Sequence, residues 1–137
     1  MSARAAFVAA LAAAFALGCG DDAPTFRAPR VLWGRTVAPE VLNRGETAYR
    51  LYCMPCHGRL GDGRGPQGIH QTPPARDFRA GRFKLTRSPD GHPTDAELEH
   101  TIRFGSPGTQ MIGWPQLEQA EVDALVQYVK TFSSPGQ

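Results

Sequence analysis

Cys53-Met54-Pro55-Cys56-His57 is the segment of this 137-residue chain that most narrows what it can fold into. Two thiols separated by two residues, with an imidazole immediately after, read as a site of c-type haem attachment. The spacing has a physical basis. The thiols reach the two vinyl groups on one edge of the porphyrin and form thioethers, and the next residue projects its imidazole beneath the iron. Cysteines used this way form no disulfide, and the sequence holds one other cysteine, Cys19. Two other chemistries share the spacing. A closed zinc site needs two further ligands, usually a second pair at short spacing, and His70, His92 and His100 are scattered. A thioredoxin-like motif needs a strand-helix setting within a βαβ pattern that the flanking sequence lacks. One covalently bound haem c, held through Cys53, Cys56 and His57, is the expected cofactor.

The rest of the chain suits a protein organised by such a group. The 15 glycines and 12 prolines crowd the stretch from Gly58 to Pro93, which reads as loop. Long loops inside a small domain need something to wrap, and a flat apolar macrocycle is such an object. A net charge of +2 points to neither nucleic acid nor an anionic membrane surface. No internal repeat, phosphate loop, dinucleotide motif or convincing strand alternation is present. Before the motif, Val41, Leu42, Gly45, Ala48, Tyr49 and Tyr52 recur at helical spacing from Pro39. After the loop region, Thr94-Asp95-Ala96-Glu97 has the form of a capping box, with Leu98 and Ile102 behind it and Gly105 as a stop. A terminal helix is expected from Glu118 to Phe132, with Val122, Leu125, Val126 and Val129 on one face.

At the N-terminus Arg4 precedes an apolar run from Ala5 to Leu17, too short to cross a membrane and suited to a secretory signal. Ala16-Leu17-Gly18-Cys19 resembles a bacterial lipoprotein signal. Residues 1–18 are thus read as signal peptide, Cys19 as the lipid attachment point, 19–39 as a flexible tether, and 40–133 as the domain. This places the protein on the periplasmic side, lipid-anchored. Gly20, where inner-membrane retention signals resemble each other in carrying Asp, favours the outer membrane; a soluble periplasmic protein is the alternative.

From about Leu42 to Phe132 the chain resembles a class I cytochrome c. The family's first helix carries a glycine with an aromatic residue four positions later, crossing the terminal helix at a Leu and an aromatic. Gly45 and Tyr49, with Leu125 and Tyr128, match that pattern. The resemblance implies a small all-α fold, three or more helices around one haem. The loop Gly61-Asp62-Gly63-Arg64-Gly65-Pro66 looks like the family's segment after the motif, where the proline carbonyl accepts a hydrogen bond from the ligand imidazole, so Pro66 is the expected partner of His57. Met111, between the capped and terminal helices, occupies the place of the family's axial methionine. Met54 is confined between the two cysteines and Met1 leaves with the signal. A histidine among His70, His92 and His100, or an open iron, are the other possibilities.

Asp77-Phe78, Phe83 through Arg87, Pro93-Thr94-Asp95 and Gly105-x-Pro107-Gly108-Thr109-x-Met111 look more specifically like monohaem cytochromes of respiratory chains and molybdenum-enzyme systems. Trp114 and Arg87 are candidates for hydrogen bonds to haem propionates. The resemblance implies carriage of single electrons between redox partners, with no catalytic residues. A dedicated haem subunit of a larger oxidoreductase is the main alternative, and an open-iron sensor or peroxidase the next.

Overall fold

The computed structural model describes residues 24–84, 86–89 and 91–134; the expected signal peptide and Cys19 lie outside the described residues. In chain order these residues form strands β1 (Arg30–Leu32) and β2 (Arg35–Val37), helix α1 (Pro39–Tyr52), the single turn α2 (Met54–His57), a 3-10 turn at Gly68–His70, α3 (Asp95–Phe104) and α4 (Gln119–Thr131). The fold is the small all-α one expected, with a two-stranded hairpin added.

Each helix begins and ends for a local reason. Pro39 opens α1 at the first helical position, where its missing N–H would have had no partner. Thr94 and Glu97 form the expected capping box on α3: Glu97 N donates to Thr94 Oγ1 at 3.2 Å, and Thr94 N donates to Glu97 Oε2 at 2.9 Å. Gly105, at φ +77°, ends the helix. At α4 the Glu118 N–H donates to Glu121 Oε2 at 3.2 Å, and the first-turn carboxylate also faces the helix dipole favourably.

The core is the crossing of α1 on α4. Leu42, Gly45, Ala48 and Tyr49 line the buried face of α1, and Val122, Leu125, Val126 and Val129 that of α4. Gly45 lies against the α4 backbone. A Cβ there would overlap the Ala124 carbonyl oxygen and stand 2.7 Å from Tyr128 Cβ. Around this contact the rings interlock: Tyr49 lies 5.2 Å from Tyr128 and 5.1 Å from Phe132, centroid to centroid. Leu98 and Ile102 bring α3 into the same cluster.

The expectation of an aperiodic tether reaching Pro39, without strands, is corrected over residues 30–37. There β1 and β2 pair antiparallel, Leu32 opposite Arg35 and Arg30 opposite Val37, joined at Trp33-Gly34. Both turn residues have positive φ, +48° and +79°, the geometry whose twist suits a two-residue hairpin. Leu32 and Val37 are buried with Leu42 in a small satellite core. Phe26 also ties the segment down, its N–H donating to Asn43 Oδ1 at 2.9 Å and its carbonyl accepting from Asn43 Nδ2 at 2.8 Å. Strands this short are decided by packing against α1 rather than by their own pattern.

Asp95, in the first turn of α3, joins this hairpin to α4. Its carboxylate accepts from the buried Lys130 ammonium, from Gln127 Nε2 at 2.9 Å, and from Arg35 Nη1 at 3.1 Å.

Gly45→Ala should destabilise the haem-loaded protein by about 3 kcal/mol, the upper end of overpacking costs, even though Ala is the better helix former by about 1 kcal/mol. A lowered urea midpoint checks this.

A second expectation concerns acid. Burial by itself raises the Asp95 pKa, but the hydrogen bonds from Lys130 and Gln127 and the charges of Lys130 and Arg35 outweigh it and hold the carboxyl below the usual range. With the folded pKa depressed, this stabilisation is present above the unfolded value of about 3.9 and is lost as pH falls through the folded one. Asp95→Asn should cost about 2 kcal/mol at neutral pH. That is less than the roughly 3–5 kcal/mol of a fully enclosed pair, since the Asp95 side chain is 45% exposed. The variant and parent should converge in stability as pH falls through the depressed folded-state pKa of Asp95, measured by urea unfolding across pH.

Candidate haem site

The motif is built on the end of α1. Cys53 caps that helix, its N–H donating to the Tyr49 carbonyl at 2.9 Å. The chain then makes one more turn: His57 N donates to Cys53 O at 2.9 Å and Gly58 N to Met54 O at 2.9 Å. Cys53, Cys56 and His57 therefore project from one turn of backbone. The buried Tyr49 hydroxyl donates to the Gly58 carbonyl at 2.7 Å, tying the end of the motif back to the helix that leads into it.

The glycine-rich loop folds onto the same turn. Gly63 N donates to His57 O at 2.9 Å, Gly65 N to Cys56 O at 3.1 Å and Gln67 N to Pro55 O at 2.9 Å. The carbonyls of Met54, Pro55, Cys56 and His57 are all satisfied, as buried backbone requires. A Cβ on Gly65 would collide with the Pro55 carbonyl and stand 2.6 Å from the Met54 oxygen, so a glycine there is what lets the loop lie flush.

His57 is 7% exposed. Its Nδ1 lies 3.0 Å from the Arg76 carbonyl oxygen. An acceptor at that nitrogen means Nδ1 carries the proton and donates, leaving the Nε2 lone pair for a metal. Burial, aided by the Arg76 charge and opposed by the Arg76 carbonyl, lowers the His57 pKa and keeps the ring neutral at pH 7. The expectation that Pro66 supplies this carbonyl is corrected. The amides of Gly63, Gly65 and Gln67 are bonded to the carbonyls of the motif, so Pro66 lies along the motif's backbone and is exposed. The carbonyl that meets the imidazole nitrogen comes from Arg76.

Cys53 and Cys56 form no disulfide with each other. Burial first, then the neighbouring Cys56, pushes the Cys53 thiol up to about 12. Among the described residues no three His, Cys, Asp or Glu side chains group to hold a metal ion, so the further ligands that a closed zinc site needs are not brought to the motif. Two unpaired thiols beside a neutral imidazole with one nitrogen already bonded is the donor set that fits haem c. Leu60 and Ile69, in the loop that folds onto the motif, expose apolar side chains, which fits a large apolar ligand as well.

Of the other expected residues, Met111 is half-buried in a hydrogen-bonded turn: its N–H donates to Thr109 Oγ1 at 3.1 Å and its carbonyl accepts from Ser106 N at 3.2 Å. Trp114 is brought to the motif, its ring 5.0 Å from that of Tyr52, and its N–H donates to Ile102 O at 2.8 Å. Arg87 is exposed; its N–H donates to Glu97 Oε1 at 3.0 Å. His70 and His100 are exposed, and His92 packs on Trp33 at 4.7 Å. Three contributors escape sequence reasoning: the Arg76 carbonyl, the Tyr49 hydroxyl and the Phe78 ring, which stacks on His57 at 4.4 Å. A main-chain acceptor leaves no signal in residue identity; Phe78 is marked by the Asp77-Phe78 resemblance, which assigns it no contact with His57.

Residues 40–129 match the sequence family described as cytochrome c oxidase, cbb3-type, subunit III. The chain belongs to this family of c-type cytochromes. As such it carries covalently bound haem c and is an electron carrier. Among solved structures, the cytochrome is similar to a chain of the Kuenenia stuttgartiensis reducing HAO-like protein complex Kustc0457/Kustc0458, with a TM-score of 0.62 and 35% identity. The match covers 66% of this chain and 41% of that one, so the cytochrome spans about two fifths of its neighbour's length. No curated protein matches it.

Proposed function

We propose that this cytochrome relays single electrons between respiratory redox partners on the periplasmic side of a bacterial membrane, tethered by lipid on Cys19. Haem supplies an iron that changes oxidation state by one electron. Cys53 and Cys56 would hold it by thioethers, His57 would ligate through Nε2, and Met111 would supply the sixth ligand from the turn after α3. The observation that carries this reading is the His57 ring itself: neutral, buried, and fixed in one tautomer by the Arg76 carbonyl. A ligand prepared in this way undergoes little rearrangement when the charge on the metal changes, which is the requirement for rapid electron exchange. No proton has to move at any side chain. Trp114, packed on Tyr52, and Arg87 would serve the propionate side.

A methionine opposite the histidine raises the potential and closes the iron to exogenous ligands. A dedicated haem subunit is the second reading, favoured by a specific observation: the similar structure is a chain of a protein complex, and that chain is much longer than this one. Copurification with a larger oxidoreductase from native membranes would select it.

In protein made with a haem-attachment system, Met111→Ala should keep the sharp α band of thioether-bound haem. It should also lose the long-wavelength iron-sulfur charge-transfer band of the oxidised form and gain carbon monoxide binding when reduced. Persistence of the charge-transfer band would clear Met111 of the role. Separately, Cys19→Ser should move the cytochrome from the membrane to the soluble periplasmic fraction, read by cell fractionation; an unchanged distribution counts against the lipid tether.

A further inference from the structure

We infer that Phe78 is a positioning residue for the iron ligand, setting the plane of the His57 imidazole about its Cβ–Cγ bond. This rests on the reading of His57 as the axial ligand and goes beyond it.

A hydrogen bond at Nδ1 fixes the tautomer of a ring and leaves it a range of tilt. Here one short segment supplies two constraints. Arg76 accepts from Nδ1 at 3.0 Å, and two residues later the Phe78 ring lies against the imidazole, centroids 4.4 Å apart and planes 20° from parallel. Rotation of the imidazole would drive an edge into the aromatic face at a distance that is already close contact.

Phe78 in turn cannot give way. It is 8% exposed and stacks on Phe83 at 5.7 Å and 15°, and on Phe132 at 6.1 Å and 29°. Its N–H donates to the Gly61 carbonyl at 2.7 Å. Gly61 is itself pressed on the Phe132 ring, where a Cβ would stand 2.6 Å from Cγ, and it holds φ +64°. The loop after the motif, the segment at 76–78 and the end of α4 thus converge on one ring, and that ring faces the imidazole. Trp33 meets Phe83 edge-on at 6.2 Å and 73°, so the hairpin closes the outer end of the stack.

The imidazole plane sets how ligand orbitals overlap with those of the iron, and the apolar cover on the ligand's side limits water access and hence the potential. Both properties can be read without measuring electron transfer. Phe78→Leu keeps an apolar side chain and removes the flat face. In the oxidised haem-loaded protein it should redistribute the paramagnetic shifts of the haem methyl protons, and it should lower the midpoint potential by admitting water near the ligand. Val122→Ala, a core change at the start of α4, serves as a control for lost stability and should leave the methyl pattern as in the parent. An unchanged methyl pattern and potential in Phe78→Leu, with haem attached, would overturn the assignment. So would the same redistribution in Val122→Ala, because general loosening would then account for it. Absence of a thioether haemochrome from the unsubstituted protein would instead remove the haem reading on which the assignment rests.

Discussion

The contact between Gly45 and the α4 backbone at Ala124 decides how close α1 and α4 come and in which direction α1 leaves the core. The motif is appended directly to that helix, so its position is inherited from the crossing. Tyr49 links the two. One turn beyond Gly45, its ring packs against Tyr128 and Phe132, while its hydroxyl reaches the carbonyl of Gly58 at the far end of the motif. A side chain chosen for core packing therefore also anchors the last residue of the turn that carries both thiols. Phe132 extends the logic, since the same ring that meets Tyr49 is pressed on Gly61 and stacked beside Phe78.

The glycine-rich loop solves a problem that side chains would create. Four successive carbonyls of the motif need donors, and the donors come from backbone amides that must approach within hydrogen-bond range. Gly65 shows why bulk is excluded, because any Cβ there would meet the Met54 and Pro55 carbonyls. The result is a motif locked by main chain on one side, with the imidazole bonded and stacked on the other. Both sulfurs are part-exposed and joined by no disulfide, as haem attachment requires.

Much of this was legible in the sequence, and the parts that were not share a cause. The α3 start was readable because Thr94 and Glu97 satisfy each other within four residues, a local signal. The α1–α4 crossing was readable only through the family resemblance that Gly45, Tyr49, Leu125 and Tyr128 carry. The hairpin at 30–37 was not, because each strand is three residues long, its turn places Trp33 at a positive φ that such a residue seldom adopts, and its burial depends on α1. Pro66 misled for a related reason: proximity in sequence to the motif placed it beside the backbone of that turn, and the ring was met by Arg76, nineteen residues beyond His57. Which carbonyl accepts a hydrogen bond is decided by where the chain passes, and residue type records that poorly.

The two sides of the proposed iron are held with unequal rigidity. On the His57 side stand a buried ring, a main-chain hydrogen bond and a stacked aromatic column. On the Met111 side stands a turn whose bonds join Ser106, Thr109 and Met111, with Pro107, Gly108, Thr109 and Gln110 all exposed. Segments with few buried contacts open at lower free energy than the core. Met111 would therefore be the more readily withdrawn of the two residues proposed to hold iron, because opening its turn breaks only the bonds among Ser106, Thr109 and Met111, whereas moving His57 disturbs the Arg76 hydrogen bond and the Phe78 stack.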